Sequence, residues 1–359
     1  MSVDRAEQVE QVIAERELDA LLVTNLVNVR WLCGFTGSNA AALVGAGRRT
    51  FLTDFRYLTQ AADQVGDAWE HRIGPDLLQL AADELGDAGP LRLGCDDAHL
   101  TVRQHARLAE LVGDAVELVA AGGAVEDLRA VKEPAEIDRI RAAAALADDA
   151  FREVVLEGTV VGRTERHVAL DLEIAMRRRG AEAASFPPIV AAGAHGALPH
   201  AEPRDVPIPA GTLLVVDWGA QLDGYASDCT RTVATGKLDA RDREVYDLVL
   251  RAQKAALAAV RPGPVGREVD AVARTIIDEA GHGEHFGHGL GHGVGMEVHE
   301  GPRLSKLGDV PLRPGHVVTV EPGVYVPGVV GVRIEDLVAV TAEGHDVLSG
   351  LAKDLTVVS

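Results

Sequence analysis

Two stretches of this chain embed acid in apolar strand. LLVVDWGAQLDGYASDCTRTV, residues 213–233, carries Asp217 at the end of one apolar run and Asp228 within another, on either side of an Asp223-Gly224 turn signal. Folded about the midpoint between Leu222 and Asp223, the segment sets Asp217 opposite Asp228, where β-carbons stand about 5 Å apart. VVTVEPGVYVPGVVGVRIEDLVAV, residues 317–340, repeats the arrangement around PGVVG, with Gly328 midway between Glu321 and Glu335. Each hairpin therefore opposes two like charges. On a solvated strand such acids would be ordinary surface, but flanks such as VVD, VTVE and VRIED are too apolar for that. Buried carboxylate pairs repel unless one member is protonated or a cation lies between them.

HGEHFGHGLGHGVGMEVHE, residues 282–300, adds five histidines and a glycine at every odd position from 287 to 295. This alternation makes a poor helix, and in an extended chain it permits close backbone approach. His288, Leu290, His292 and Val294 are then expected on one face. Arg303 stands three residues beyond Glu300, so there is no HExxH helix; the glycine spacing does not fit GxGxxG, and GxxxxGK[ST] is absent. One or two imidazoles beside four carboxylates make a mainly hard-oxygen donor set with charge enough for two divalent ions, manganese or cobalt ahead of a structural zinc. Two close ions imply a bridging water, and hence hydrolysis.

With 359 residues the chain exceeds one average domain. Residues 5–17 have helical spacing, LDALLVT and RRTFLTD read as strands, and YLTQAADQV as a helix, which predicts a small α/β domain over 1–130. Over 131–359 helices are expected from Pro134 towards Gly158, from Thr164 to Gly180, and over about 240–260 and 265–280, with strand and hairpin text otherwise from Phe186. That domain reads as α+β. The net charge of −20 disfavours nucleic acid and anionic membranes as partners and favours a cation. Cys33, Cys95 and Cys229 are odd in number and lack CxxC spacing, no signal-peptide pattern opens the chain, and no apolar run reaches membrane-span length. A cytoplasmic enzyme or binding protein is the expectation.

With these residues in hand, the sequence resembles the pita-bread metallopeptidases, family M24, which include methionine aminopeptidase, Xaa-Pro aminopeptidase and prolidase. Asp217 in VVDWGA, Asp228 in YASDCTRT, His292 in GHGVGMEVHE, Glu321 in TVEPGVY and Glu335 in GVRIED match the family's metal ligands. The resemblance implies an α+β pita-bread (creatinase/aminopeptidase-like) catalytic domain behind a smaller N-terminal α/β creatinase-like domain. It also implies two divalent ions, manganese first with cobalt or zinc as alternatives, and a bridging water that attacks the carbonyl before proline. Glu321 would shuttle the proton, His200 in LPHAEP would hold the scissile nitrogen, and His299 would polarise the carbonyl. His288 would line the proline subsite and Arg333 would organise the carboxylates. His282 and His285 match nothing, and the role of His195 stays open.

The domain of about 130 residues in front separates the chain from methionine aminopeptidases, and the complete ligand set separates it from creatinases. GFTGSNAAALV followed by TDFRYLTQA is similar to Xaa-Pro aminopeptidases, although Phe55 replaces the usual glycine. The leading expectation is thus a Xaa-Pro aminopeptidase, acting on peptides with proline second and assembling as a homodimer. The alternative is a Xaa-Pro dipeptidase (prolidase), in which Arg303 in HEGPR would bind the free carboxylate of a dipeptide. A remote alternative is a non-catalytic pita-bread binding protein.

Overall fold

The computed structural model describes residues 4–45, 47–86 and 90–359. The chain divides into two compact units, Met1–Arg129 and Ala130–Ser359. The first runs α1 (Arg5–Glu15), β1 (Ala20–Val23), α2 (Leu26–Cys33), β2 (Ala40–Gly45), β3 (Arg48–Thr53), α3 (Leu58–Gln64), β4 (Glu70–Ile73), α4 (Leu77–Leu85), β5 (Leu91–Cys95), α5 (Val102–Val112), β6 (Val116–Ala120) and α6 (Ala124–Ala130). Its six strands form one mixed sheet in the order β4-β3-β2-β1-β5-β6. β1 lies near the middle, antiparallel to β2 and parallel to β5, with all four residues buried. Burial on both faces accounts for its unbroken apolar text.

The second unit opens with α7 (Pro134–Phe151), which continues into a π-turn over Arg152–Leu156, and α8 (Glu165–Arg178). Pro134 sits in the first turn of α7, and the Thr164 hydroxyl caps α8 by accepting from the His167 amide. There follow β7 (Ala183–Ala184), β8 (Ile189–Ala192), β9 (Leu213–Trp218), β10 (Ala220–Leu222), β11 (Tyr225–Ala226), β12 (Cys229–Ala234), α9 (Ala240–Ala259) and α10 (Gly266–Glu279). The remainder is strand: β13 (Gly291–Gly293), β14 (Glu300–Leu304), β15 (Val317–Val320), β16 (Gly323–Val326), β17 (Val330–Arg333), β18 (Asp336–Val340) and β19 (His345–Val347). All pairings among these strands are antiparallel. No helix among the described residues is long and apolar enough to cross a membrane.

Two cores support these strands. α7 and α8 bury Phe151, Val155, Val168 and Leu172 with Val190, Val216 and Trp218 of β8 and β9. α9 and α10 bury Val249, Ala252, Val269 and Ala273 with Val318, Val332 and Val338. The first core thus backs the strand that carries Asp217, and the second backs the strands flanking Glu321 and Glu335.

The first carboxylate hairpin differs in register from the expectation. Asp217 pairs with Thr230, and Leu222 with Tyr225, so the hairpin centres between Asp223 and Gly224. Both turn residues take positive φ, 49° and 80°, the two-residue geometry that an Asp-Gly pair favours. Moving the centre by one residue shifts every partner by two. Asp228 therefore lies diagonal to Asp217 instead of opposite it, but on the same face, because the side-chain period is two. In the second hairpin Gly323 pairs with Arg333 and Val317 with Ala339, both centred on Gly328, so Glu321 and Glu335 lie at one register level as expected. β15 and β18 belong to a five-stranded sheet, whereas β16 and β17 form a separate ribbon. The two glutamates occupy the seam.

Trp218, next to Asp217, stacks on Phe151 with centroids 4.2 Å apart and donates its indole N–H to the Ala147 carbonyl at 2.8 Å. Phe151→Ala should cost about 3–5 kcal/mol through the cavity it leaves. A urea titration followed by tryptophan fluorescence checks this, and an unchanged midpoint would show that this stack does not hold β9.

Candidate metal centre

A cavity of about 350 Å³ in the second unit is lined by Asp217, Asp228, His292, Glu321 and Glu335, together with His200, His288, His299 and Arg333. Nine of the ten expected site residues therefore share one cavity. Arg303 does not line it: its side chain is exposed on β14, without an ion pair among the described residues. His195 lies elsewhere, its Nδ1 2.9 Å from buried Glu165, which also accepts from the Arg204 guanidinium and the Ala192 amide. His282 and His285 contact each other, Nδ1 to Nδ1 at 3.0 Å, and are absent from the lining. Leu290 joins the core between His288 and His292, so the four alternating residues do not share one face.

The glycines beside His292 have a packing cause. A β-carbon on Gly291 would lie 2.1 Å from the Thr319 carbonyl oxygen, and one on Gly293 2.0 Å from that of Gly301. β13 is thus wedged between β14 and β15 at distances no side chain tolerates, which carries the His292 backbone into the acid cluster.

One ligand atom each from Asp217, Asp228 and Glu335 lies within 4.8 Å of the others. The His292 Nε2 stands 3.2 Å from Glu321 and 3.6 Å from Asp228. Its Nδ1 lies 3.0 Å from the Gly293 carbonyl, an acceptor only, which places a proton on Nδ1 and turns Nε2 toward the carboxylates. Burial pushes the Asp228 and Glu335 carboxyls well above their usual range, and the neighbouring acids push the same way. Burial also raises Asp217, with Arg333 opposing. Glu321 is the exception: burial pushes it up, but His292, His288 and Arg333 outweigh this and hold it at about 2. Asp217 Oδ1 and Glu335 Oε1 are buried with no hydrogen-bond partner. Orphaned carboxylate oxygens beside an inward-facing imidazole nitrogen are the donor set that divalent cations satisfy.

Thr230, Thr319 and Tyr325, which no sequence motif singled out, join the expected Arg333 and His288 in holding this set in place. Arg333 donates to Asp217 Oδ2 at 2.6 Å, to the Thr230 hydroxyl at 2.9 Å and to the Tyr325 hydroxyl at 2.8 Å. The Thr230 hydroxyl in turn donates to Glu335 Oε2 at 2.8 Å, and the Thr319 hydroxyl donates to Glu321 Oε1 at 3.0 Å. His288 Nδ1 lies 2.7 Å from the Gly289 carbonyl, so its Nε2 accepts from Tyr325 at 3.0 Å. Both threonines lie on the carboxylate strands at even spacing from a ligand. That spacing was the signal that could have found them.

With this geometry the comparisons with known proteins agree. Residues 138–342 match the model of metallopeptidase family M24, and residues 5–131 that of the creatinase/prolidase N-terminal domain. The chain belongs to metallopeptidase family M24. It is accordingly a metal-dependent peptidase, with a pita-bread catalytic domain behind a creatinase-type N-terminal domain. It is 44% identical to the Xaa-Pro dipeptidase of Pyrococcus furiosus over 64% of this chain and 66% of that one. The structure of a Xaa-Pro dipeptidase from Bacillus anthracis superposes with a TM-score of 0.94 at 38% identity, covering 98% of this chain and 99% of that one. The X-Pro aminopeptidase from Thermotoga maritima gives 0.89 at 34% identity, covering 99% and 100%.

The raised Glu335 carboxyl makes a prediction about the chelator-treated protein. A group whose folded pKa exceeds its unfolded value contributes stability below the unfolded pKa, about 4.5 for this residue, and loses it as pH rises through the folded value. The urea midpoint of the stripped protein should therefore fall as pH rises from 4.5, and Glu335→Gln should flatten that fall. The same variant should weaken the rise in midpoint on adding manganese. Parallel pH curves for the two proteins would refute the assignment.

Proposed function

We propose that this peptidase is a Xaa-Pro dipeptidase, hydrolysing the bond between a first residue and a following proline with the help of two divalent cations. Manganese is the first choice of metal, with cobalt or zinc as alternatives. The observation that carries the reading is the convergence of Asp217, Asp228, His292, Glu321 and Glu335 on one cavity, with two carboxylate oxygens left without hydrogen bonds. Likeness to the two dipeptidases supports the substrate, and favours the dipeptidase over the aminopeptidase expected first from the sequence.

When bound, the cations would supply Lewis acidity and lower the pKa of water in the site. Asp217, Asp228, His292, Glu321 and Glu335 would hold them. The chain's own residues do the rest. Glu321, held ionised, accepts the proton released by the attacking water and returns it to the departing proline nitrogen, beside which His200 is positioned. The His299 imidazole is kept neutral by burial and by the nearby His292, and so donates a hydrogen bond to the scissile carbonyl as charge develops there. His288, also kept neutral by burial, faces the proline ring. Arg333 neutralises part of the acid cluster and fixes Asp217. Arg303 is exposed and does not line the cavity, so it would meet a substrate carboxylate only outside it.

The test is to strip metal, restore manganese or cobalt, and compare Ala-Pro with Ala-Pro-Xaa peptides. Rapid cleavage of the dipeptide alone is expected. Efficient cleavage of the longer peptides would instead establish a Xaa-Pro aminopeptidase, the reading that likeness to the Thermotoga maritima enzyme favours. If Arg303 reaches the free carboxylate of a dipeptide, Arg303→Ala should raise KM for Ala-Pro several-fold while sparing longer peptides. An unchanged KM would remove Arg303 from the site.

A further inference from the structure

The histidine segment reaches the cavity before it becomes a strand, since β13 begins only at Gly291. Its backbone at Phe286, His288 and Leu290 is instead held by two residues of α10. Asp270 and Arg274, four apart on the helix, form a two-pronged ion pair, Nε to Oδ2 and Nη2 to Oδ1, each at 2.8 Å. The guanidinium also donates to the Phe286 carbonyl through Nη1 and to the His288 carbonyl through Nη2, both at 2.8 Å. Asp270 Oδ1 in turn accepts the Leu290 amide at 3.0 Å, and the Leu290 carbonyl accepts the amide of Glu321 at 2.8 Å. Arg274 further lies over the Phe286 ring at 4.1 Å, and that ring meets the His288 imidazole edge-on at 5.2 Å.

We infer that Arg274, clamped by Asp270, is a positioning residue: it fixes the backbone of residues 286–290 so that His288 faces the cavity with its Nδ1–H tautomer set. The planar fork matters more than the charge, because four donor contacts leave one guanidinium in a fixed plane. An ammonium at the same place could keep the ion pair with Asp270 but not both carbonyl contacts. The inference rests on the proposed reading that His288 meets the substrate, although the placement of His288 can be measured without any substrate.

The experiment compares Arg274→Met and Arg274→Lys with the wild-type protein, using the full chain loaded with zinc. Imidazole nitrogen resonances, with His288 assigned from His288→Gln, report its tautomer. Both variants should shift or broaden the His288 signals while leaving those of His292 and His299 in place. With Ala-Pro, both should raise KM on the order of tenfold with little change in kcat, the pattern of lost binding common to ground and transition states. If Arg274→Lys restores the wild-type His288 signals and KM, the brace is only an ion pair and the proposal fails. Should Arg274→Met not fold, the lysine variant decides alone. If the wild-type protein cleaves no Xaa-Pro peptide, the proposed function falls, while the His288 signals still decide the positioning role.

Discussion

The second unit is organised around the mutual repulsion of four carboxylates, three buried and the fourth, Glu321, half-buried. Burial and like charge push Asp228 and Glu335 in the same direction, and Arg333 is the fixed cation in contact with the cluster. A single guanidinium cannot neutralise four acids. The unpaired oxygens of Asp217 and Glu335 are what remains, and they are acceptors that a divalent cation would satisfy. The two cores on either side serve this arrangement by holding the strands that carry the acids, one backing β9 and the other backing β15 to β18.

Much of this was legible because carboxylates in apolar strand are costly, and cost leaves a pattern. Glu321 and Glu335 align as expected since Gly328, the turn residue with positive φ, lies midway between them. Asp217 and Asp228 fall two positions from the expected register because the turn centres on the Asp223-Gly224 pair and not midway between the two aspartates. The period of two rescued the face while losing the partner. The helices were readable from proline, threonine and glycine at their ends. Leu290, by contrast, defeated the expected alternation because β13 is only three residues long and shifts register between Gly291 and Gly293.

Residues that act through others stayed hidden. Tyr325 and Arg274 are ordinary in local sequence, and their importance comes from what tertiary packing sets beside them. Tyr325 lies two places from the start of a ribbon, yet its hydroxyl joins Arg333 to His288. Arg274 looks like half of an i,i+4 surface pair on a helix, the commonest and least informative reading of such spacing. Only the carbonyls of Phe286 and His288 distinguish it.

The seam at Glu321 and Glu335 has a consequence for assembly. Each glutamate sits where its chain leaves one sheet and enters another, so neither sheet alone determines where the carboxylate lies. Ion affinity is then a property of the joint between two separately hydrogen-bonded layers. Any slip of the ribbon against the larger sheet would move both acids together and open the cage, so ions held there would act as a rivet across the joint as much as a reagent.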